Sequence, residues 1–144
     1  MRFSALIAAL LVSVGSALAV IDQMSVYYGN TVVTADKGDE FRFHYKQDHQ
    51  FDGSRITNFG TLSFTGSWAV DQSGKLCRTY DKPSNGYVWT PSAKLTKSIE
   101  NLANHNPEGA DRVCAPLLAR QVGDSWVENL NGESRAVTLA AGIK

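Results

Sequence analysis

The side chains best suited to proton transfer lie in one short stretch of the chain. His44 and His49 have Asp48 and Asp52 close to them in the sequence. Imidazole and carboxylate groups that meet can exchange protons or bind a metal ion. However, His44 occupies the polar position of an alternating strand pattern, which explains it without a reaction. A hydrolase that uses carboxylates or His49 is therefore the third of three functional hypotheses, and no catalytic residue, metal site or cofactor is predicted.

The sequence contains no other pattern typical of a known catalytic centre. A nucleophile elbow, a phosphate-binding loop, a dinucleotide fingerprint and a calcium loop are all missing from the printed residues. Acidic residues fall mainly in turn sequences, where they stabilise the turn itself. These observations favour a non-enzymatic binding module.

Aromatic residues offer a second kind of functional surface. They make up 10% of the chain, and in a small barrel they either fill the core or line a cavity. The first hypothesis is a small apolar or aromatic ligand, bound in or at the barrel mouth. The alternative is a protein-binding or inhibitory module that acts on an envelope or extracellular partner. The candidate contact residues are Tyr80, Tyr87, Trp89, Trp68, Phe43 and Tyr45.

The N-terminus predicts export. Arg2 precedes an apolar stretch from Ala5 to Val14, and Ala17-Leu18-Ala19 forms a small-x-small cleavage site. An apolar stretch of roughly ten residues is too short for a hydrocarbon core that needs about 20. We therefore expect residues 1–19 to be a cleaved signal peptide. Residues 20–144 would then form one periplasmic or secreted domain without a membrane anchor.

Charge and cysteine content agree with that destination. Basic and acidic residues both number 14, so no strong field favours nucleic acid as a partner. The two cysteines, Cys77 and Cys114, are predicted to form one disulfide, since an exported chain meets oxidising conditions. The sequence contains no C-x-x-C motif, which would have favoured a redox or zinc site.

Period-two alternation predicts a mainly β fold. Phe41, Phe43 and Tyr45 alternate with polar residues, and Leu62 to Val70 repeats the pattern around Gly66. Gly66 inside a strand suggests a bend or bulge. Asn131-Gly132 is a strong hairpin signal between two further strands. We expect a small antiparallel β-barrel, lipocalin-like and closed or partly open, with a β-sandwich as the alternative.

One segment departs from this pattern. Leu95, Ile99, Leu102 and Ala103 have helical spacing and predict a short amphipathic helix. Thr90 and Pro91 have the types preferred at the N-cap and the first helical position. Residues 81–111, between the cysteines, are therefore expected to form a helix-bearing insertion that packs on the barrel.

Several weak motifs, taken in order, resemble a known family. They are Gly29-Asn30-Thr31-Val32, Gln50-Phe51-Asp52-Gly53, Gly66 to Asp71 running into Gly74-Lys75-Leu76-Cys77, Gly123-Asp124 and Asn131-Gly132-Glu133. In this order they resemble the exported bacterial family of unknown function 995 (DUF995). The resemblance implies a periplasmic lipocalin-like or inhibitor-like β-barrel. It implies no catalytic residue.

The export prediction has a direct test. The mature protein should begin at Val20, because cleavage follows the small-x-small site. Intact-mass measurement on material recovered from the periplasm or medium checks this expectation. A mass that retains residues 1–19 would contradict it.

Overall fold

The computed structural model describes residues 23–83, 87–92, 106–130 and 132–144. Within those ranges the chain is mainly antiparallel β. The strands are β1 (Thr31–Asp36), β2 (Asp39–Tyr45), β3 (Gln50–Thr57), β4 (Gly60–Val70), β5 (Lys75–Tyr80), β6 (Val88–Pro91), β7 (Arg112–Pro116), β8 (Ser125–Leu130) and β9 (Glu133–Ala140).

All nine strands belong to one curled sheet. Eight of them follow one another in the order β7-β5-β4-β3-β2-β1-β9-β8, so β7 and β8 are the edge strands of this path, and β6 pairs with β4 beside it. The sheet nearly closes into a barrel, and this confirms the predicted architecture. Tight turns between successive strands account for most of the order. At the β1–β2 turn, Lys37 and Gly38 both have positive φ, as a two-residue hairpin loop requires.

Alternation places the large aromatic residues inside the barrel. Phe41, Phe43 and Tyr45 lie in a row on the inner face of β2, with neighbouring ring centroids 6.4 Å apart. Phe51 and Phe64 from β3 and β4 complete the layer and are each 1% exposed. Burial of these rings removes a large apolar area from water, which is the main force holding the sheet in its curl.

Two glycines allow the rings to pack against the backbone. A Cβ atom on Gly66 would lie 2.6 Å from the Phe51 ring, and one on Gly53 would lie 2.5 Å from the Phe64 ring. The pairing of β4 with β3 runs through Gly66 without an inserted residue. Of the two alternatives predicted at Gly66, a bend or a bulge, the bulge is therefore wrong. The glycine is needed because an aromatic ring covers the strand at that point.

Strand β4 divides its outer edge between two partners. Its C-terminal half pairs with β5 from Gly66 to Val70, and its N-terminal half pairs with β6 from Gly60 to Ser63. Thr90 and Pro91 belong to β6, so the predicted helix start at these residues is wrong. Their pairing with the edge of β4 outweighs the local capping preference, and a proline is tolerated at the end of an edge strand.

The predicted helix itself, with Leu95, Ile99, Leu102 and Ala103, lies outside the described residues. A short helix is described at residues 23–25, just before β1. In the described ranges we find no helix that is long and apolar enough to cross a bilayer.

The cysteine pair lies where the insertion leaves and rejoins the sheet. Cys77 in β5 is directly opposite Cys114 in β7. Their sulfur atoms are 2.13 Å apart, which is a disulfide-bonding distance. The distance between the sulfur atoms thus confirms the predicted pairing. The two cysteines are 37 residues apart in the sequence, and their bond closes the insertion at its base.

Because an aromatic ring packs against Gly66, even a small substitution there should have a large effect on stability. Gly66→Ala should lower the free energy of unfolding by about 1–3 kcal/mol, the usual cost of overpacking a dense core. Ser63→Ala, at an exposed position of the same strand, should change it by less than about 0.5 kcal/mol. Urea unfolding of both variants measures the difference. Equal stabilities would show that the ring does not rest on Gly66.

Candidate functional site

A buried group of charged side chains lies inside the barrel. Arg78 in β5 lies between the inward residues Leu76 and Tyr80, and Arg135 in β9 is followed on the inner face by Val137 and Leu139. Their side chains are 6% and 10% exposed. Two guanidinium groups cannot be buried stably without counter-charges and hydrogen-bond acceptors. The barrel therefore needs an acid in its interior.

Glu108, from the segment that leads back into β7, supplies that acid. Its side chain is 1% exposed. Arg78 donates to both carboxylate oxygens at 2.9–3.2 Å, and Arg135 Nη1 donates to Oε1 at 2.7 Å. The Tyr80 hydroxyl also donates to Oε2. Glu108 is thus held by groups from β5 and β9, although it belongs to neither strand.

Further contacts of Arg78 and Arg135 balance the charges in this volume. Asp36 Oδ2 lies 3.2 Å from Arg135 Nε. Arg78 Nη1 donates to the Tyr45 hydroxyl at 2.9 Å, and the Arg78 guanidinium lies 4.4 Å from the centre of the Phe43 ring. Two cations and two anions therefore share this volume, which we call the interior ion cluster: Arg78, Arg135, Glu108 and Asp36, with the hydroxyls of Tyr45 and Tyr80.

The cluster shifts the ionisation of its members. Burial alone would raise the pKa of Glu108, but the charge of Arg78, the hydrogen bonds from Tyr80 and Arg78 and the charge of Arg135 hold that pKa below its usual value. Burial raises the pKa of Tyr80 well above its usual value, and the Glu108 carboxylate raises it further. At neutral pH Glu108 is therefore an anion and Tyr80 is a neutral donor.

The segment that carries Glu108 lies across one end of the barrel. The carbonyl oxygen of Pro107 accepts a hydrogen bond from Arg55 of β3 at 3.3 Å. The carbonyl oxygen of Asp111 accepts one from the Tyr80 amide at 2.9 Å. These contacts reach β3 and β5, which lie on either side of β4, and Glu108 itself reaches β9 through Arg135. We call residues 106–111 the cap segment.

A cleft opens beside the cap segment. It lies where β5 ends, has a volume of about 560 Å³, and is lined by Thr79, Tyr80, Asp81, Lys82, Pro83, Asn106, Gly109 and Asp111. Ligand sites for small molecules commonly measure about 300–1,000 Å³. By contrast, the cavity described between β5, β7 and β8 measures about 20 Å³, roughly the space of one water molecule.

The polar side chains of the cleft are held by their neighbours. Asp81 accepts a hydrogen bond from the Thr65 hydroxyl at 2.6 Å, and Asp111 accepts one from the Asn106 amide. The Tyr87 hydroxyl donates to Asn106 Oδ1 at 3.3 Å. Burial raises the pKa of Tyr87 to about 12, and the charges of Asp81 and Asp111 add to the effect. The wall of the cleft near Tyr87 is therefore electronegative.

The structure separates the sequence-derived candidates into two groups. Phe43, Tyr45, Trp68 and Tyr80 are buried, with exposures between 1% and 6%. Tyr45 and Tyr80 contribute hydroxyls to the interior ion cluster, and the Trp68 indole donates to the Lys46 carbonyl. Of these buried candidates, Tyr80 also lines the cleft.

Tyr87 and Trp89 are half-buried and lie near the barrel surface. Both pack against the core from β6 and the residue before it. Trp89 lies over Gly60, where an added Cβ would be 2.9 Å from the indole ring. Tyr87 contacts Asn106, which lines the cleft. The aromatic candidates thus frame the site rather than converge in a cavity.

The histidine stretch forms a different set of contacts. His44 Nδ1 lies 2.7 Å from Asp52 Oδ1, and Lys46 Nζ lies 2.7 Å from the other oxygen of the same carboxylate. His49 stacks on Trp68 with ring centroids 4.4 Å apart. It is therefore His44, and not His49, whose ring meets a carboxylate among the contacts we describe. None of these residues lines the cleft.

One group has the spacing of metal ligands in the described part of the chain. Ligand atoms of Asp71, Cys77 and Cys114 lie within 4.8 Å of one another. The two cysteine sulfurs are bonded to each other, so neither offers the thiolate that a metal would need.

Sequence reasoning missed Arg78, Arg135 and Glu108. A signal for the two arginines was present, since the patterns Leu76-x-Arg78-x-Tyr80 and Arg135-x-Val137-x-Leu139 place a charge on the apolar face of a strand. Such a position requires a buried partner. The sequence gives no comparable signal for Glu108, because it follows Pro107 in a turn-rich segment.

Comparisons with known proteins return no match. No family model matches the chain, and neither a curated protein nor a solved structure is significantly similar to it.

The interior ion cluster predicts that one carboxylate carries a large share of stability. Glu108→Gln should lower the free energy of unfolding by about 3–5 kcal/mol, since it leaves buried guanidiniums without their acid. Glu133→Gln is the matched control, because Glu133 also pairs with a cation, Lys37, but is exposed. An exposed pair contributes about 0–1 kcal/mol. Chemical unfolding at neutral pH measures both.

The same carboxylate predicts a pH dependence. The pKa of Glu108 is lower in the folded protein than in the unfolded chain, where it is about 4.3. The ionised carboxylate therefore stabilises the fold fully at pH values above that unfolded pKa. This stabilisation is lost as pH falls through the folded-state pKa. The stability gap between the wild type and Glu108→Gln should therefore shrink on acidification. A gap that stays constant down to acid denaturation would contradict the ionised assignment.

Proposed function

We propose that the protein is an exported, non-enzymatic binding module that holds a small molecule in the cleft at one end of the barrel. The observation that carries this proposal is the difference between two volumes. The cleft measures about 560 Å³, whereas the cavity described inside the barrel measures about 20 Å³. A ligand of drug or metabolite size fits the first and not the second.

The chemistry of the lining supports a polar ligand. Thr79, Asp81, Lys82, Asn106 and Asp111 supply hydroxyl, carboxylate, ammonium and amide groups. The interior holds the apolar surface instead, in the packed rings of β2, β3 and β4. We therefore propose a polar or charged ligand in place of the apolar or aromatic one that aromatic density suggested.

Export and family membership are parts of the same proposal. The N-terminal pattern Arg2, apolar stretch and Ala17-Leu18-Ala19 supports export. The cysteine pair at disulfide-bonding distance is compatible with an oxidising compartment. The resemblance to the exported family 995 rests on motif order in the sequence, and we retain it as a proposal.

A second candidate is a module that binds another protein. Strand β8 pairs with β9 on one side, and in the described ranges no strand pairs with its other side. Val127 on β8 is 66% exposed, and Leu118 and Val122 in the preceding loop are 53% and 44% exposed. An open edge beside apolar side chains favours addition of an extended segment from a partner.

A fragment screen followed by amide NMR tests the proposal. With ¹⁵N-labelled mature protein, binding of polar fragments should shift the amide signals of residues 79–82 and 106–111. Thr79→Trp should abolish these shifts, since Thr79 is an exposed residue of the cleft wall. Ala69→Trp is the matched control, because Ala69 is exposed on the neighbouring strand and does not line the cleft.

Each outcome of the screen assigns a site. Shifts at the cleft that Thr79→Trp removes and Ala69→Trp preserves support the proposal. Shifts confined to Ser125–Leu130, or binding that survives Thr79→Trp unchanged, would overturn it and favour the open edge of β8. A screen without any cleft binding would also count against it.

A further inference from the structure

We propose that Arg78, Arg135, Tyr45 and Tyr80 form a carboxylate-binding site that Glu108 occupies in this structure, and that a ligand carboxylate can take its place. This inference rests on the proposed function in one respect: the ligand would enter through the cleft. Its carboxylate would then bind at the inner end of the cleft, where the two arginines lie.

The first support is the origin of the groups. Arg78 and Tyr80 belong to β5, Arg135 belongs to β9 and Tyr45 belongs to β2. All are fixed by the sheet, and their side chains are buried. Glu108, in contrast, belongs to the cap segment outside the sheet. The sheet thus provides a preformed set of donors, and the acceptor arrives from a separate part of the chain.

The second support is the geometry at the carboxylate. Arg78 donates from both Nε and Nη2, Arg135 donates from Nη1, and the Tyr80 hydroxyl donates to Oε2. Paired guanidinium donors that face a planar acceptor select carboxylates geometrically. Tyr45 accepts from Arg78 and so orients its guanidinium. These contacts depend on the carboxylate, not on the chain that carries it.

The third support is access. Tyr80, whose hydroxyl touches Glu108, lines the cleft, and so does Gly109, the residue next to Glu108. Withdrawal of the cap segment would therefore connect the cleft with the two arginines. If Glu108 left without a replacement, Arg135 would keep its contact with Asp36, and Arg78 would lose the carboxylate with which it forms an ion pair among the described residues. Exchange must then bring an anion, and a neutral ligand cannot replace Glu108.

The cleft lining restricts the anion further. Asp81 and Asp111 line the cleft, with Lys82 as the cation among its lining residues. Like charges at short range disfavour a second negative group on the ligand. We therefore infer a monocarboxylate, and inorganic phosphate or a dicarboxylate should bind more weakly.

The first experiment empties the site. Glu108→Ala removes the carboxylate, and Glu108→Gln fills the same space with a neutral amide. With sodium acetate at neutral pH, the melting temperature of Glu108→Ala should rise saturably above that in sodium chloride of equal ionic strength. Glu108→Gln should show a smaller difference between acetate and chloride than Glu108→Ala, because its amide must first be displaced. Phosphate stabilises folded proteins in general, so the effect of each salt is taken relative to its effect on Glu108→Gln, and on that scale phosphate should stabilise Glu108→Ala less than acetate.

If Glu108→Ala does not fold in chloride, recovery of its β-sheet circular dichroism on addition of acetate is the measurement. A variant that responds to acetate and chloride alike, or is stabilised only by phosphate, would overturn the carboxylate site. So would a variant that stays unfolded in acetate while Glu108→Gln folds.

The second experiment uses the wild-type protein. Acetate that binds the open state should increase amide exchange at the cap by the factor 1 + [acetate]/Kd, the linkage expected for a ligand of a minor state. The reporter is the Tyr80 amide, which is bonded to the Asp111 carbonyl and so crosses the contact between β5 and the cap. The Leu139 amide, bonded to Asp124, is the control.

For 0.2 M acetate and a Kd of about 20 mM, exchange at the cap should rise about tenfold over chloride, with Leu139 unchanged. Unchanged cap exchange would overturn replacement of Glu108 in the native protein. Acetate binding without fragment binding in the cleft would instead contradict the proposed function and leave the carboxylate site standing. The two ideas therefore fail separately.

Discussion

The burial of two guanidinium groups inside a small aromatic barrel is the constraint on which the rest of the structure depends. Arg78 and Arg135 lie on the inner faces of strands whose other inward residues are apolar or aromatic. The energetic cost of an unpaired buried cation exceeds the gain from several packed methylene groups. The fold therefore has to bring a carboxylate into the barrel, and Glu108 is the residue that satisfies this need.

The position of Glu108 explains the path of the insertion. The chain leaves the sheet after Tyr80, adds β6 to the free edge of β4, and returns before Arg112. On its return it passes over the barrel end, where Arg55 holds the Pro107 carbonyl and Arg78 holds the Glu108 carboxylate. The cleft arises between the departing end of β5 and the returning cap segment. Its walls are thus set by the same contacts that neutralise the interior.

Sequence reasoning succeeded where a local pattern decides the structure. The alternation of Phe41, Phe43 and Tyr45 predicted both the strand and its inner face, and the presence of just two cysteines in a chain expected to be exported predicted their pairing. It failed at Thr90 and Pro91, whose local preference for a helix start is outweighed by pairing with β4. Whether a glycine in a strand marks a bulge or makes room for an aromatic ring also depends on the neighbouring strand, because that strand supplies the ring.

The candidate site was less accessible to sequence reasoning for the same reason. Tyr45 and Tyr80 were identified by their aromatic character, yet their role follows from hydroxyl contacts with Arg78 and Glu108, 28–33 residues away. Alternation can show that Arg78 and Arg135 face inward, and buried charge requires a partner. It cannot show which of 14 acidic residues is that partner, because the choice depends on the path of the chain between β5 and β7.

Cys77 and Cys114 join β5 and β7 at the base of the insertion. The cross-link keeps these strands together whether or not Glu108 is in place, since it lowers the entropy gained when they part. Three residues lie between Glu108 and the start of β7 at Arg112, and the proposed withdrawal of the cap would turn on them. During that movement the covalent link and the aromatic layer would preserve the sheet.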